Sequence, residues 1–155
     1  MEDFTVRTLK PEEAAEVTNL ITAVFDTFIA PDYTPAGIQH FYEFITPEAI
    51  TQRIGENSFV LVACYSGRII GVIAMRGYSH IALLFTSRDW HGKGVATKLL
   101  EAATQKCRKT RPDVKQFTVN ASTYAISFYE RFGFTIQGPE QNLNGIRFTP
   151  MSKNV

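Results

Sequence analysis

His91-Gly92-Lys93-Gly94-Val95-Ala96 is the stretch on which the reading of this chain turns. Before it lies an apolar run, His80-Ile81-Ala82-Leu83-Leu84-Phe85, which reads as a strand. After it, Val95, Leu99, Leu100, Ala103 and Cys107 recur at helical spacing, and Lys98, Glu101, Lys106 and Arg108 fall on the other face. The spacing predicts a helix over 94–109. Strand, glycine loop and helix in that order form a layout that binds phosphate. Unpaired N–H groups and the positive end of the helix face the anion, and glycine lets the backbone come close. A tight strand-to-helix turn also needs glycine, so the loop alone leaves both readings open. Two other phosphate motifs do not fit. No stretch matches G-x-x-x-x-G-K-S/T, and G-x-G-x-x-G would need glycine at 97, which is Thr97.

Working outward, strands are predicted at 58–65 and 68–76, joined by a Ser66-Gly67 hairpin turn. Phe4 to Leu9 alternates and reads as a first strand. Pro11-Glu12-Glu13 opens a helix running to about Phe28, with a second helical region over 35–54 interrupted near Thr46-Pro47. Downstream come a strand at 116–120, a helix at 123–132 and short strands near 134–138 and 145–151. The helix over 94–109 is long enough for a crossover, so strands 80–86 and 116–120 can run parallel. One α/β domain over 1–155 is expected, a mixed and mostly antiparallel sheet with a parallel central pair and helices on both faces.

The bulk composition excludes several classes. A chain of 155 residues with 45% hydrophobic and 20% charged residues is ordinary for a globular domain. Its formal net charge of +1 offers no basic field for nucleic acid or an anionic membrane, so neither partner is expected. Cys64 and Cys107 make neither a disulfide framework nor a metal pair, and no metal is expected. The acidic start, Met1-Glu2-Asp3, lacks the pattern of a signal peptide, and no apolar run reaches the ~18 residues that span a bilayer. A cytoplasmic protein is the expectation.

The second half carries a resemblance. Asn120-Ala121-Ser122-Thr123-Tyr124-Ala125-Ile126-Ser127-Phe128-Tyr129-Glu130-Arg131-Phe132-Gly133-Phe134 closely resembles the N-x-x-x-x-A-x-x-F-Y-E-K/R-x-G-F segment of the GNAT N-acetyltransferases. The 91–96 loop is similar to that family's Gln/Arg-x-x-Gly-x-Gly/Ala motif. It matches at Gly94 and Ala96 and departs at His91. The tail, Asn144 to Met151, looks like endings of bacterial members. The specific motifs span about 80–134, and the element order agrees over the whole chain.

This resemblance implies the GNAT fold, with its parallel strand pair splayed apart. It implies acetyl-CoA as co-substrate and direct attack by an amine in a ternary complex. The cofactor would lie along Leu84, Phe85 and Thr86, over His91, Gly92, Lys93, Gly94, Val95, Ala96 and Thr97, and beside Asn120. Asn120 could equally cap the following helix. Tyr129 stands where the family's general acid stands, and a phenol is protonated at neutral pH. His80 is the candidate general base: imidazole can take a proton near pH 7, and plain strand alternation puts His80 on one face with Ala82 and Leu84. Glu43 is a weaker candidate. A thiol route through Cys64 or Cys107 is the mechanistic rival, with no histidine near either in sequence.

Phe25, Phe28 and Tyr33, with Ile29, Phe41, Tyr42 and Phe44, could line the acceptor site or simply pack the core. Asp26, Asp32 and Glu43 could attract a cationic amine or be solvated. The acceptor is expected to be a small-molecule or peptide amine. Edge strands near the C-terminus could pair two subunits as a homodimer. Two other classes stay open: an acyl-CoA-binding sensor without turnover, and an unrelated α/β nucleotide-binding protein.

Overall fold

The computed structural model describes residues 3–155, so the first two residues of the acidic start lie outside the described residues. The described residues form eight strands: β1 (Thr5–Thr8), β2 (Ser58–Tyr65), β3 (Arg68–Arg76), β4 (His80–Thr86), β5 (Gln116–Ala121), β6 (Thr135–Ile136), β7 (Gln141–Leu143) and β8 (Ile146–Asn154). Five helices accompany them: α1 (Ala14–Phe28), α2 (Pro35–Phe44), α3 (Pro47–Gln52), α4 (Val95–Thr110) and α5 (Ile126–Arg131). The sheet order is β1-β2-β3-β4-β5-β8-β6, and β7 pairs with β8. Every pairing is antiparallel except β4 with β5. This is the mixed α/β arrangement that the element order implies.

Local chemistry explains most boundaries. Each Thr-Pro pair in the second helical region starts a helix. Thr34 and Thr46 accept the backbone N–H of Gly37 and Ala49, at 3.0 and 3.1 Å, and proline takes the first helical position. The interruption expected near Thr46-Pro47 is therefore the boundary between two helices. Pro11–Glu13 forms a 3-10 turn before α1, and Thr123–Ala125 forms another before α5. The C-terminal strands differ from expectation. β6 keeps two residues of 134–138, while Asn144 and Gly145, both at positive φ, turn an additional strand, β7, onto β8. The tip of that hairpin packs on the start of α2 so closely that Gly37 and Gly145 leave no room for side chains.

Two apolar layers sandwich the sheet. On one side α4 buries Val95, Leu99, Leu100, Ala103 and Cys107 against Phe117, Val119 and Met151. On the other, α1 buries Val17, Ile21, Val24 and Phe25 against Val60, Val62 and Val72. Gly71 in β3 sets how closely α4 lies. A methyl there would meet Val95 Cγ1 at 2.8 Å and Leu99 Cδ1 at 2.9 Å. Gly71→Ala is accordingly expected to cost about 1–3 kcal/mol by overpacking. Thermal unfolding should register a Tm lower by roughly 3–10 °C. An unchanged Tm would mean that α4 is free to move off the sheet.

Two irregularities position the site. β4 and β5 pair only at His80–Thr118 and Ile81–Val119, and past that point they splay. β4 also carries a bulge at Ala82, since Ile81 faces Met75 while Leu83 faces Ala74. The bulge overturns the alternation expected of this strand. Ala82 and Leu83 pack into the α1 layer, while Leu84 packs into the α4 layer, so His80, Ala82 and Leu84 do not share one face.

Candidate active site

A cavity of about 600 Å³ occupies the splay, a size suited to a small-molecule site. Its walls come from both layers. Ile81, Leu84, Val95, Val119 and Tyr129 belong to the α4 side, and Val24, Phe25, Phe41, Leu83 and Phe85 to the α1 side. The cavity thus passes through the sheet where β4 and β5 part. Peptide groups of β4 and β5 that face the gap lack a strand partner there, so they remain free for a ligand's amides.

At one end lies the glycine loop. Gly92 and Gly94 have φ of 77° and 82°, and nothing lies within 4 Å of where a Cβ would project. Gly94 is the N-cap of the sixteen-residue α4 and offers no side chain to its first turn. The N–H groups of that turn have no intrahelical acceptor and point with the positive end of the helix. Thr86 Oγ1 is buried among the wall residues without a hydrogen-bond partner. Free amides, an open backbone cradle and an orphaned hydroxyl fit a ligand that carries both phosphate and amide groups.

Thirteen of the sixteen residues singled out from sequence line this cavity: Phe25, Tyr33, Leu84, Phe85, Thr86, His91, Gly92, Gly94, Val95, Ala96, Thr97, Asn120 and Tyr129. Asn120 does not cap the next helical segment, whose N-cap is Ser122. Tyr129 is buried between Phe128 and Phe134, with both rings edge-on at 5.3 and 5.5 Å. Burial pushes its phenol well above the ordinary value of 10.0. His91 Nε2 donates to the Thr86 carbonyl at 2.9 Å, and its Nδ1 lies 3.3 Å from the Tyr124 hydroxyl. Phe28 stacks on Tyr124 at 5.0 Å and lies 5.2 Å from His91, so it braces these two rings from outside the wall. Lys93 stands outside too, its ammonium 5.1 Å from the Trp90 ring centroid.

His80 is not brought to the cavity. Its Nδ1 lies 2.8 Å from Thr118 Oγ1, on the strand pair before the splay opens. Burial, then the positive charges of Arg76 and Arg53, lower its pKa from 6.5 to about 4. A folded-state pKa below the unfolded one means that stability is present above pH 6.5 and lost as pH falls towards 4. Replacing His80 with Gln should therefore flatten the fall in Tm between pH 6.5 and 4. A difference from wild type that is constant over that range would refute a buried neutral imidazole.

Among the described wall residues there is no Asp or Glu. Asp26 accepts from the Tyr42 hydroxyl, and Glu43 sits beside His40 on an exposed helix face. Cys64 and Cys107 are free thiols outside the cavity, and burial pushes Cys107 up to about 12. Sequence reading missed several wall residues: Trp90, Ser122, Tyr124, Ser127 and Arg131, with Phe41 left in a general aromatic set. For Ser122 to Arg131 the signal was present, since they share the segment of Asn120 and Tyr129. Among the described residues no cluster of His, Cys, Asp and Glu could hold a metal, and no helix is long and apolar enough to cross a membrane.

Comparison with known proteins gives this site a family. Residues 29–155 match the family model described as an acetyltransferase (GNAT) domain. An acetyltransferase of Agrobacterium fabrum is 35% identical over 86 residues, 56% of this chain and 57% of that protein. The chain thus spans little more than half the length of this curated relative. A GCN5-related N-acetyltransferase structure from Rhodopseudomonas palustris superposes with a TM-score of 0.84 at 23% identity, covering 100% of this chain and 98% of that one. The PaiA N-acetyltransferase of Thermoplasma acidophilum, solved with coenzyme A, gives 0.82 at 18% identity, with 99% of each chain covered. At these identities the structures speak for the fold alone. With the family model covering most of the sequence, this chain belongs to the GNAT acetyltransferases.

Proposed function

We propose that this chain moves an acetyl group from acetyl-CoA to a primary amine by direct attack in a ternary complex. The observation that supports it most is the cavity through the β4–β5 gap, with the glycine cradle at one end and an apolar chamber on the α1 side. The amides of Gly94, Val95, Ala96 and Thr97 would hold the pyrophosphate, and Thr86 Oγ1 and Asn120 would take the pantetheine arm. Acetyl-CoA supplies the activated acyl group. Tyr129 holds a proton at neutral pH and would give it to the departing sulfur.

Two measurements test this. Acetyl-CoA and CoA should raise the Tm while ATP and NAD should not, and a panel of amines should include at least one that drives release of free thiol. Stabilisation by ATP or NAD alone would overturn the reading. The sensor alternative draws on one observation, the lack of an acidic wall residue to act as base. Binding without thiol release from any amine would favour it.

A further inference from the structure

The acceptor chamber says something about the amine it would take. Phe25 and Phe41 stack at 4.1 Å, Tyr33 lies edge-on to Phe25 at 5.3 Å, and Ile29, Leu83 and Phe85 complete the wall. A polycationic acceptor would need carboxylates there, because an unpaired ammonium in an apolar chamber loses its hydration without compensation. None of the described wall residues is Asp or Glu. The titratable wall groups are Tyr33, His91, Tyr124, Tyr129 and Arg131. Arg131 repels a cation. The phenols are protonated, and His91 donates its Nε2 proton to the Thr86 carbonyl while Nδ1 lies 3.3 Å from the Tyr124 hydroxyl. Among the described wall residues there is thus no carboxylate to pair with an ammonium or to take its proton.

We infer that the acceptor is a small aromatic primary amine of low basicity that enters the chamber already uncharged. This rests on the acetyl-transfer reading above and specifies its substrate class. For such an amine the proton count closes without a base. Nitrogen attacks the thioester carbonyl, the C–N bond forms and the C–S bond breaks. The sulfur takes the Tyr129 proton, and the nitrogen proton shed on amide formation restores the phenol. Amine and thioester give amide and thiol. An incoming ammonium carries one further proton, and the described wall offers no carboxylate to receive it.

Four amines test this on the wild-type chain. L-Phenylalaninamide is aromatic with an α-amine of pKa about 8, and 2-phenylethylamine is aromatic with an alkylamine near 10. Glycinamide keeps the low basicity without the ring, and spermidine is a polycation. If only the neutral amine reacts, kcat/KM should favour L-phenylalaninamide over 2-phenylethylamine by about 90-fold at pH 7 and about tenfold at pH 9, as the neutral fractions dictate. Glycinamide should fall at least about tenfold below L-phenylalaninamide for want of apolar contact. Spermidine should stay at background. A ratio of the two aromatic amines that does not move with pH would reveal a base in the protein and overturn the inference. So would spermidine as the best acceptor, or equal rates for glycinamide and L-phenylalaninamide. If none of the four releases thiol while another amine of the wider panel does, transfer stands and this inference fails; if no amine of the panel does while acetyl-CoA still raises the Tm, the transfer reading fails as well.

Discussion

Tyr129→Phe is expected to lower kcat by about 100-fold or more while leaving the KM for acetyl-CoA within about twofold. The phenol lies in the cavity wall, on the α4 layer, with its ring clamped edge-on by Phe128 and Phe134. Its burial disfavours the phenolate, so the proton is present throughout the neutral range. A thiolate leaving without a proton is a poorer leaving group than a thiol, and a positioned phenol removes that penalty. Positioned proton transfer is worth about 10²–10⁴-fold. Phenylalanine keeps the ring contacts, so folding and donor affinity should change little. Steady-state kinetics with acetyl-CoA varied at saturating amine reads both parameters. A variant with near-wild-type kcat would remove Tyr129 from the chemistry and leave it as a core residue.

How much of this was legible depends on the scale of the feature. The helix over 94–109 could be read residue by residue, because an amphipathic stripe records burial directly. The Ser66-Gly67 hairpin was equally plain, since both residues adopt positive φ and the sequence offers a turn pair that allows it. The bulge at Ala82 left no mark. No glycine or proline sits there, and only the pairing with β3 reveals the extra residue. That one residue decides which layer each downstream side chain of β4 enters. His80 precedes both the bulge and the splay, so its ring rests on Thr118 outside the cavity, while plain alternation would have grouped it with Leu84. β7 was missed for a related reason. Asn144-Gly145 announces a turn, but Gln141-Asn142-Leu143 is exposed along its whole length and carries no alternation.

The donor side of the site was more legible than the acceptor side. Phosphate binding uses backbone amides, and the glycines and helix that expose them are local in sequence. The proposed acceptor chamber draws on side chains from α1, α2 and β4 that meet only in the folded chain. Phe25 and Phe41 stack across two helices, and nothing in either segment states that they touch. Phe28 has the same helical spacing as the wall aromatics, yet it packs behind Tyr124 and His91 and does not line the cavity itself. Spacing assigns a residue to a helix face. Which of two neighbouring clusters it joins is a tertiary matter.

The helix start at the cradle allows a substitution whose effects on folding and binding should have opposite signs. Ala96 is the second residue of α4 and lines the cavity. An aspartate in the first turn of a helix suits the macrodipole and stabilises by about 0.3–1 kcal/mol. No acidic residue occupies that turn now. Ala96→Asp should therefore hold or slightly raise the Tm of the unliganded chain. The same carboxylate would sit among the amides proposed to receive the pyrophosphate, satisfying them internally and repelling the incoming anion. Like charges brought together at a binding site cost several kcal/mol, so acetyl-CoA affinity should fall by at least about 100-fold, or about 2.7 kcal/mol. Titration calorimetry with acetyl-CoA measures the loss, and melting with and without the ligand separates it from unfolding. Ala96→Ser supplies the control, since it is small and uncharged and should retain most of the affinity. If Ala96→Asp binds acetyl-CoA as the parent does, the α4 terminus is a turn that merely needs glycine, and the anion sits elsewhere. If both variants lose binding, the cradle fails through shape rather than charge.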